Sequence, residues 1–278
     1  MKIIECPRDA MQGIKEFIPT EIKINYINQL LKVGFDTIDV GSFVSSKSIP
    51  QLKDTSLVLE GLDLDVNSSK LLAIVANTRG ALEACNFDQI TYLGFPLSVS
   101  EKFQFRNTNK TINQALDIVE EIQDISIKNN KKLVVYLSMA FGNPYNELYH
   151  IDKVLSLTEK LNKLNIKIIS LSDTVGVSIP DNISEIFRSL SFEYQSIEFG
   201  AHFHTTIESW KEKIDSAYNN GCRRFDSAIR GYGGCPMASD DLIGNMPTEE
   251  LISYFKHEVY LNHDEFLNSL KLADSIFL

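Results

Sequence analysis

At 278 residues, 44% hydrophobic and 23% charged, the chain has enough apolar material for a sizeable core and a length at which a (β/α)8 barrel forms one domain. A formal net charge of −10 and a pI near 5.0 exclude the basic surface that general nucleic-acid binding uses, while leaving room for an anionic ligand held by a local cluster of cations. No apolar run approaches the ~18–20 residues of a membrane span, and Cys6, Cys85, Cys222 and Cys235 form no CxxC pair or disulfide-style spacing, so they read as free thiols in a reducing compartment.

The opening "MKIIECPRD" already reads as a strand at 2–6, leaves no stretch for a signal or transit peptide, and gives the expectation of a cytoplasmic protein. The stretch 20–34 follows as an amphipathic helix, with Ile22, Tyr26, Ile27, Leu30 and Leu31 on one stripe and Gly34 as its stop. "TIDV" at 37–40, "KLLAIV" at 70–75 and "QITYLG" at 89–94 are the next strands. Then helical patterns at 113–130, 150–165, 180–190 and 207–221 alternate with strands "KLVVYLSMA" at 132–140, "IKIISLSD" at 166–173, "SIEFGAHFH" at 196–204 and "RRFDSAI" at 223–229. Continuous apolar runs of this length suit parallel strands buried on both faces. Eight such strands alternating with helices predict an α/β fold, a (β/α)8 TIM barrel with a short C-terminal helical extension. The expected organisation is a single catalytic domain over 1–278, with the barrel at about 1–245 and closing helices at about 247–278. An open doubly wound sheet is the alternative, disfavoured by the lack of a GxGxxG or GxxxxGK[ST] phosphate loop.

Barrel active sites sit at the C-terminal ends of the strands. That criterion selects Arg8, Asp9, Asp39, Ser42, Asn77, Tyr145, Ser172, Asp173, His202, His204 and Asp226, with the glycine-rich loop that follows Asp226. His202 and His204 share one side of their strand because alternate residues do, and an HxH pair can chelate a divalent metal; two histidines that only hydrogen-bond are the plainer alternative. Asp9 offers a hard oxygen, and Asn245 an amide oxygen. The two histidines and Asp9, with open positions, suit Mg²⁺, Mn²⁺ or another first-row metal better than structural zinc.

"CPRDAMQG" at 6–13, "HFH" at 202–204 and "GYGGCPMASDDLIGNMPTE" at 231–249 resemble the HMG-CoA lyases, supported by "DVGSFVSSKSIPQ" at 39–51, "FGNPYNE" at 141–147 and "SLSDTVGV" at 170–177. The resemblance implies cleavage of 3-hydroxy-3-methylglutaryl-CoA to acetyl-CoA and acetoacetate, the last step of leucine breakdown. It implies metal ligation by Asp9, His202, His204 and Asn245, with His202 or Asp9 as the base. Arg8 would face the thioester oxygen and Cys235 would protonate the enolate. Gln12, Asp39, Ser42, Tyr145 and Ser172 would contact substrate, and Asp173 would contact substrate or support residues that do, though it could instead merely cap the helix after strand six. Lys47, Lys102, Arg106 and Lys110, expected in loops after strands two and four, would meet the CoA phosphates or serve only as solubilising charge. A homodimer is also implied. Three departures stand out: Asp39 where such lyases often carry Glu, Thr205 where they often carry Asp, and a loop from Cys235 to Asn245 one residue longer. The competing enzyme readings are an acetyl-CoA/2-oxoacid condensing synthase and a pyruvate-releasing aldolase of the same superfamily; a noncatalytic metal- or acyl-CoA-binding barrel is the other class.

Overall fold

In the computed structural model, which describes residues 1–64, 69–234 and 243–277, eight parallel strands form a closed barrel. They are β1 (Lys2–Glu5), β2 (Thr37–Ser42), β3 (Lys70–Ile74), β4 (Ile90–Ser98), β5 (Lys132–Ser138), β6 (Ile168–Asp173), β7 (Glu198–Thr205) and β8 (Arg224–Ser227). Each strand pairs with the next, and β8 returns to β1 with Lys2 opposite Arg224 and Glu5 opposite Ser227. All eight expected strands are present. A ninth, β9 (Gly244–Asn245), was not expected and runs antiparallel to the end of β7.

The helices are α1 (Pro7–Gln12), α2 (Thr20–Leu31), α3 (Thr55–Glu60), α4 (Thr78–Cys85), α5 (Glu101–Thr108), α6 (Ile112–Lys128), α7 (Ile151–Lys163), α8 (Pro180–Glu193), α9 (Trp210–Asn219), α10 (Thr248–Tyr254) and α11 (His263–Phe277). Pro180 opens α8 at a position where its missing N–H costs nothing. Gly34, at φ +89°, supplies the left-handed residue after α2. The α2 stripe is corrected at one place. Tyr26, Ile27, Leu30 and Leu31 are buried as expected, but Ile22 is 41% exposed and Lys23 is buried instead. The Lys23 ammonium is paired with Asp54 at 2.7 Å and also donates to the Gln51 carbonyl, so a polar side chain takes an apolar-looking position. Asn77, selected above as a strand-end candidate, caps α4 by accepting from the Gly80 amide at 2.9 Å.

Two apolar layers hold the architecture. The larger lies between barrel and helices, where Leu30, Leu93, Val119, Leu161 and Phe187 are fully enclosed; truncating one such leucine to alanine would cost ~2–5 kcal/mol. The smaller lies inside the barrel and contains Leu72, Tyr92, Val134, Tyr136 and Ile168. The C-terminal helix α11 closes the ring against α2, with Phe266 edge-on to Phe35 and Phe277 edge-on to Tyr26. This packing leaves the C-terminal strand ends facing one cleft.

Candidate active site

Arg8 and Asp9 do not end β1. They sit in α1, whose first residue is Pro7, and this correction explains their geometry. One helical turn brings Gln12 back beside both. Arg8 Nη1 donates to Gln12 Oε1 at 2.8 Å and to Asp9 Oδ1 at 3.0 Å, while Gln12 Nε2 donates to Asp9 Oδ1. Arg8 Nε and Nη2 both reach Asp39 Oδ2, at 2.9 and 2.6 Å. The shorter Asp39 carboxylate therefore still holds Arg8. A register irregularity between Asp39 and Gly41 bends β2 at this point, as bulges near sites do. Burial pushes the Asp39 carboxyl up to about 6 despite Arg8, so it remains ionised at neutral pH.

His202 and His204 project from the end of β7, with ring centroids 5.5 Å apart. The His202 Nδ1 lies 3.2 Å from Asp226 Oδ2 on β8, and His204 Nδ1 lies 2.8 Å from the Thr174 carbonyl. Both acceptors are oxygens, so each Nδ1 carries the proton and each Nε2 keeps its lone pair. Asp226 and Thr174 thus do the orienting that Thr205 cannot. Thr205 Oγ1 is buried and finds no partner among the described residues. Asn245 stands directly opposite His204 in the β7–β9 pair, and its amide nitrogen donates to Asp9 Oδ2 at 2.7 Å. Asp9 Oδ2 is 4.0 Å from His202 Nε2.

Ligand atoms of Asp9, His202 and His204 all lie within 4.8 Å of one another, a group that could hold a metal ion. The donor set fits a divalent cation: two imidazole nitrogens and one carboxylate, with Asn245 turning its amide nitrogen to that carboxylate. The ionisation states of Asp9 and His204 fit as well. Burial would raise the Asp9 carboxyl, but Arg8 and the two histidines outweigh it and hold it below the usual carboxylate range. Burial and then the neighbouring His202 push His204 down to about 4, leaving it neutral at pH 7. Burial alone would lower His202, yet its bond and attraction to Asp226 raise it.

The glycines after β8 make the site compact. A Cβ at Gly233, which lies at φ +86°, would stand 2.7 Å from the Asp9 carbonyl oxygen and 2.9 Å from Asn245 Nδ2. One at Gly244 would stand 2.4 Å from the Gly231 carbonyl. Close backbone approach, which only glycine allows, seats this turn on α1. Cys235 lies outside the described residues.

The cleft at the strand ends measures about 480 Å³, and its wall includes Arg8, Asp9, Gln12, Asp39, Ser42, Ser172, His202 and His204. Other predicted residues do not join that wall. Asp173 is spent on structure: its carboxylate accepts from the Val177 and Ser178 amides, the Ser178 hydroxyl and Lys213 Nζ. It shapes the turn after β6 and does not cap α8, which Asn182 closes by accepting from the Ile179 amide. Tyr145 stacks behind Phe103, which does line the cleft, with Arg106 over its ring. Lys102 and Arg106 belong to α5 rather than a loop, and Lys102 Nζ donates to the Tyr145 carbonyl. Lys47 is exposed near Ser48 and Ile49, which do reach the wall.

Sequence reasoning missed Glu5 and Lys213. Glu5 is fully buried and accepts from the Ile229 amide and the Thr248 hydroxyl, tying β1 to the turn after β8. Lys213 Nζ, on α9, donates to Asp173 Oδ2 at 2.7 Å, to the His204 carbonyl at 2.9 Å and to the Gly176 carbonyl at 3.3 Å. No motif flags either one. The only signal was a charged residue at a position where the helix or strand pattern turns inward.

Comparisons with known proteins agree with this geometry. The HMGL-like family model matches residues 2–274. A hydroxymethylglutaryl-CoA lyase of Bacillus subtilis is 34% identical over 254 residues, covering 88% of this chain and 81% of that one. A cytoplasmic 3-hydroxy-3-methylglutaryl-CoA lyase of Rattus norvegicus is 33% identical, covering 91% and 73%. Among solved structures, a Bacillus subtilis HMG-CoA lyase superposes with a TM-score of 0.92 at 30% identity, covering 99% of this chain and 93% of that one. An HMG-CoA lyase of Acinetobacter baumannii, in complex with coenzyme A and 3-methylmalate, gives 0.89 at 30% identity, covering 99% and 90%. The barrel, the Asp-His-His cluster and this match over nearly the whole length agree: the chain belongs to the HMGL-like family.

Proposed function

We propose that this chain is a carbon–carbon lyase that cleaves 3-hydroxy-3-methylglutaryl-CoA to acetyl-CoA and acetoacetate, as in leucine degradation. The observation that carries the reading is the convergence of Asp9, His202 and His204 beside Arg8 in one cleft. Asp9, His202, His204 and Asn245 would hold a divalent cation, Mg²⁺ or Mn²⁺, which when bound supplies Lewis acidity and a template for substrate oxygens.

The residues themselves account for the rest. The C3 hydroxyl proton passes to His202 or Asp9, both of which face the cation position: Asp226 holds the Nδ1 proton of His202 and so leaves Nε2 as its basic nitrogen, while Arg8 and the histidines hold the Asp9 carboxyl low. As the C2–C3 bond breaks, its electron pair moves to C2 and C3 becomes the ketone of acetoacetate. Arg8 has four of its five N–H groups engaged by Asp39, Asp9 and Gln12, which fixes the guanidinium and leaves one on Nη2 for the thioester oxygen of the enolate. The thiol of Cys235 then gives its proton to C2, completing acetyl-CoA. Ser42, Ser172 and Gln12 contact the substrate from the cleft wall.

The test is product stoichiometry. The protein with HMG-CoA should release acetoacetate and acetyl-CoA one to one. Turnover of acetyl-CoA with a 2-oxoacid, and none of HMG-CoA, would replace the lyase with a condensing synthase.

A further inference from the structure

Beneath the cleft, the barrel interior carries a charged column whose one link to the proposed reaction is Asp226. Arg224 is the largest fully buried side chain among the described residues, and its Nε, Nη1 and Nη2 find no hydrogen-bond partner there. Its position is built. Arg224 faces Gly200 across the β7–β8 pair, and a Cβ on Gly200 would stand 3.0 Å from Arg224 Cδ. The missing side chain makes room for the guanidinium stem. The guanidinium lies over the Tyr92 ring, 5.6 Å from its centroid.

Three further residues extend the column. Towards the N-terminal mouth, Glu198 Oε1 is 3.6 Å from Arg224 Nη1, too far for a hydrogen bond, and is itself unpartnered. The other Glu198 oxygen binds Lys2, and these two side chains are 30% and 38% exposed. Towards the cleft, Asp226 shares the inward side of β8 with Arg224, two residues on. Its Oδ2 takes the Ser170 hydroxyl and His202, while its Oδ1 is unpartnered. The Tyr136 hydroxyl is unpartnered as well, and its ring meets His202 edge-on.

Six of the nine buried, unpartnered side-chain polar atoms among the described residues belong to these four side chains. Leaving all six bare would cost an amount comparable with the whole stability of a domain. The groups are both donors and acceptors, and none of the six atoms makes a hydrogen bond to another, which is the arrangement that holds buried water. We propose that the barrel axis is a built hydration site. Water bridges Arg224 to Asp226 Oδ1 and the Tyr136 hydroxyl, continues to Glu198, and so joins the N-terminal mouth to the back of the Asp226–His202 pair. This pair then has a solvent connection on the side away from the cleft, open while substrate fills the front. The inference stands on the barrel interior and does not depend on which reaction the cleft performs.

A crystal structure of the wild-type protein that resolves ordered water tests it directly. The expected result is water within hydrogen-bond distance of Arg224 and of Asp226 Oδ1. A guanidinium bonded directly to Asp226 or Glu198, with no water between, would overturn it. Oxygen-17 relaxation dispersion adds a solution measurement by counting long-lived internal waters in the wild type and in Arg224→Met. The count should fall in the variant, and an unchanged count refutes the proposal. If Arg224→Met does not fold, the wild-type crystal structure decides alone.

Discussion

Replacing Lys213 with Met removes one ammonium and leaves the helix backbone alone. In the native protein that ammonium is almost wholly buried and binds Asp173 Oδ2, the His204 carbonyl and the Gly176 carbonyl. Breaking a buried ion pair from one side typically costs ~3–5 kcal/mol, because the partner charge stays buried. Asp173 would keep the Val177 and Ser178 donors, which places the expected loss toward the lower end, about 3 kcal/mol. For a domain of this size that is a fall of roughly 6–12 °C in Tm. A second effect follows at the Asp9–His202–His204 cluster. The lysine joins the end of β7 to the turn that offers the Thr174 carbonyl to His204, so its loss loosens the frame that orients the imidazole. Loss of such orienting contacts weakens metal affinity by about 10–100-fold. Chemical denaturation reads the first effect and calorimetric titration with Mn²⁺ the second. A double variant with Asp173→Asn should recover part of the stability, because no unpaired carboxylate remains, but none of the affinity. If Lys213→Met unfolds within about 0.5 kcal/mol of wild type and binds Mn²⁺ equally well, the anchoring role is wrong.

The other predictions concern separate parts of the molecule. Burial raises the Glu5 carboxyl from 4.5 to about 8. The folded state therefore binds the proton more tightly than the unfolded one, so this contribution is complete below pH 4.5 and is lost as pH rises to about 8. Denaturation midpoints of Glu5→Gln should accordingly fall less than those of wild type between pH 6 and 9, and parallel curves would contradict this. Gly233→Ala should depress metal affinity and turnover together, since its Cβ would strike the Asp9 carbonyl and Asn245 at a strained φ; wild-type kinetics would show that the turn can move aside. Neutralising Lys47, Lys102 and Arg106 should raise KM for the CoA substrate and spare kcat, with a weaker dependence of KM on salt; an unchanged salt dependence would remove these cations from the CoA reading.

The barrel was legible because its strands are buried on both faces and so appear as unbroken apolar runs. The long helices were legible from their stripes. Short helices were not. In α1, six residues after a strand carry one proline and no apolar repeat, so Arg8 and Asp9 read as a strand end. Of the site, the HxH pair and the Asp9 carboxylate could be read from alternation and position. Of their supports only Asp226 stood among the strand-end candidates; the Thr174 carbonyl and Lys213 reach the histidines through a neighbouring strand end and helix α9. Lys213 and Lys23 look like the polar faces of amphipathic helices, and only tertiary partners reveal them as buried ions. At Asp173 the strand-end position left a substrate role and a supporting role open, and its four local donors, Lys213 among them, place it behind the histidines.

The central claim is that Asp9, His202 and His204 hold a divalent cation that the cleavage requires. It is tested most directly by stripping metal from the purified protein, adding HMG-CoA, and following acetoacetate release while Mg²⁺ or Mn²⁺ is titrated back, with His204→Ala alongside. The account predicts no release without metal, saturable recovery in the wild type, and recovery in the variant only at far higher metal concentration. Full activity in the stripped protein, or identical titration curves for both proteins, would contradict it.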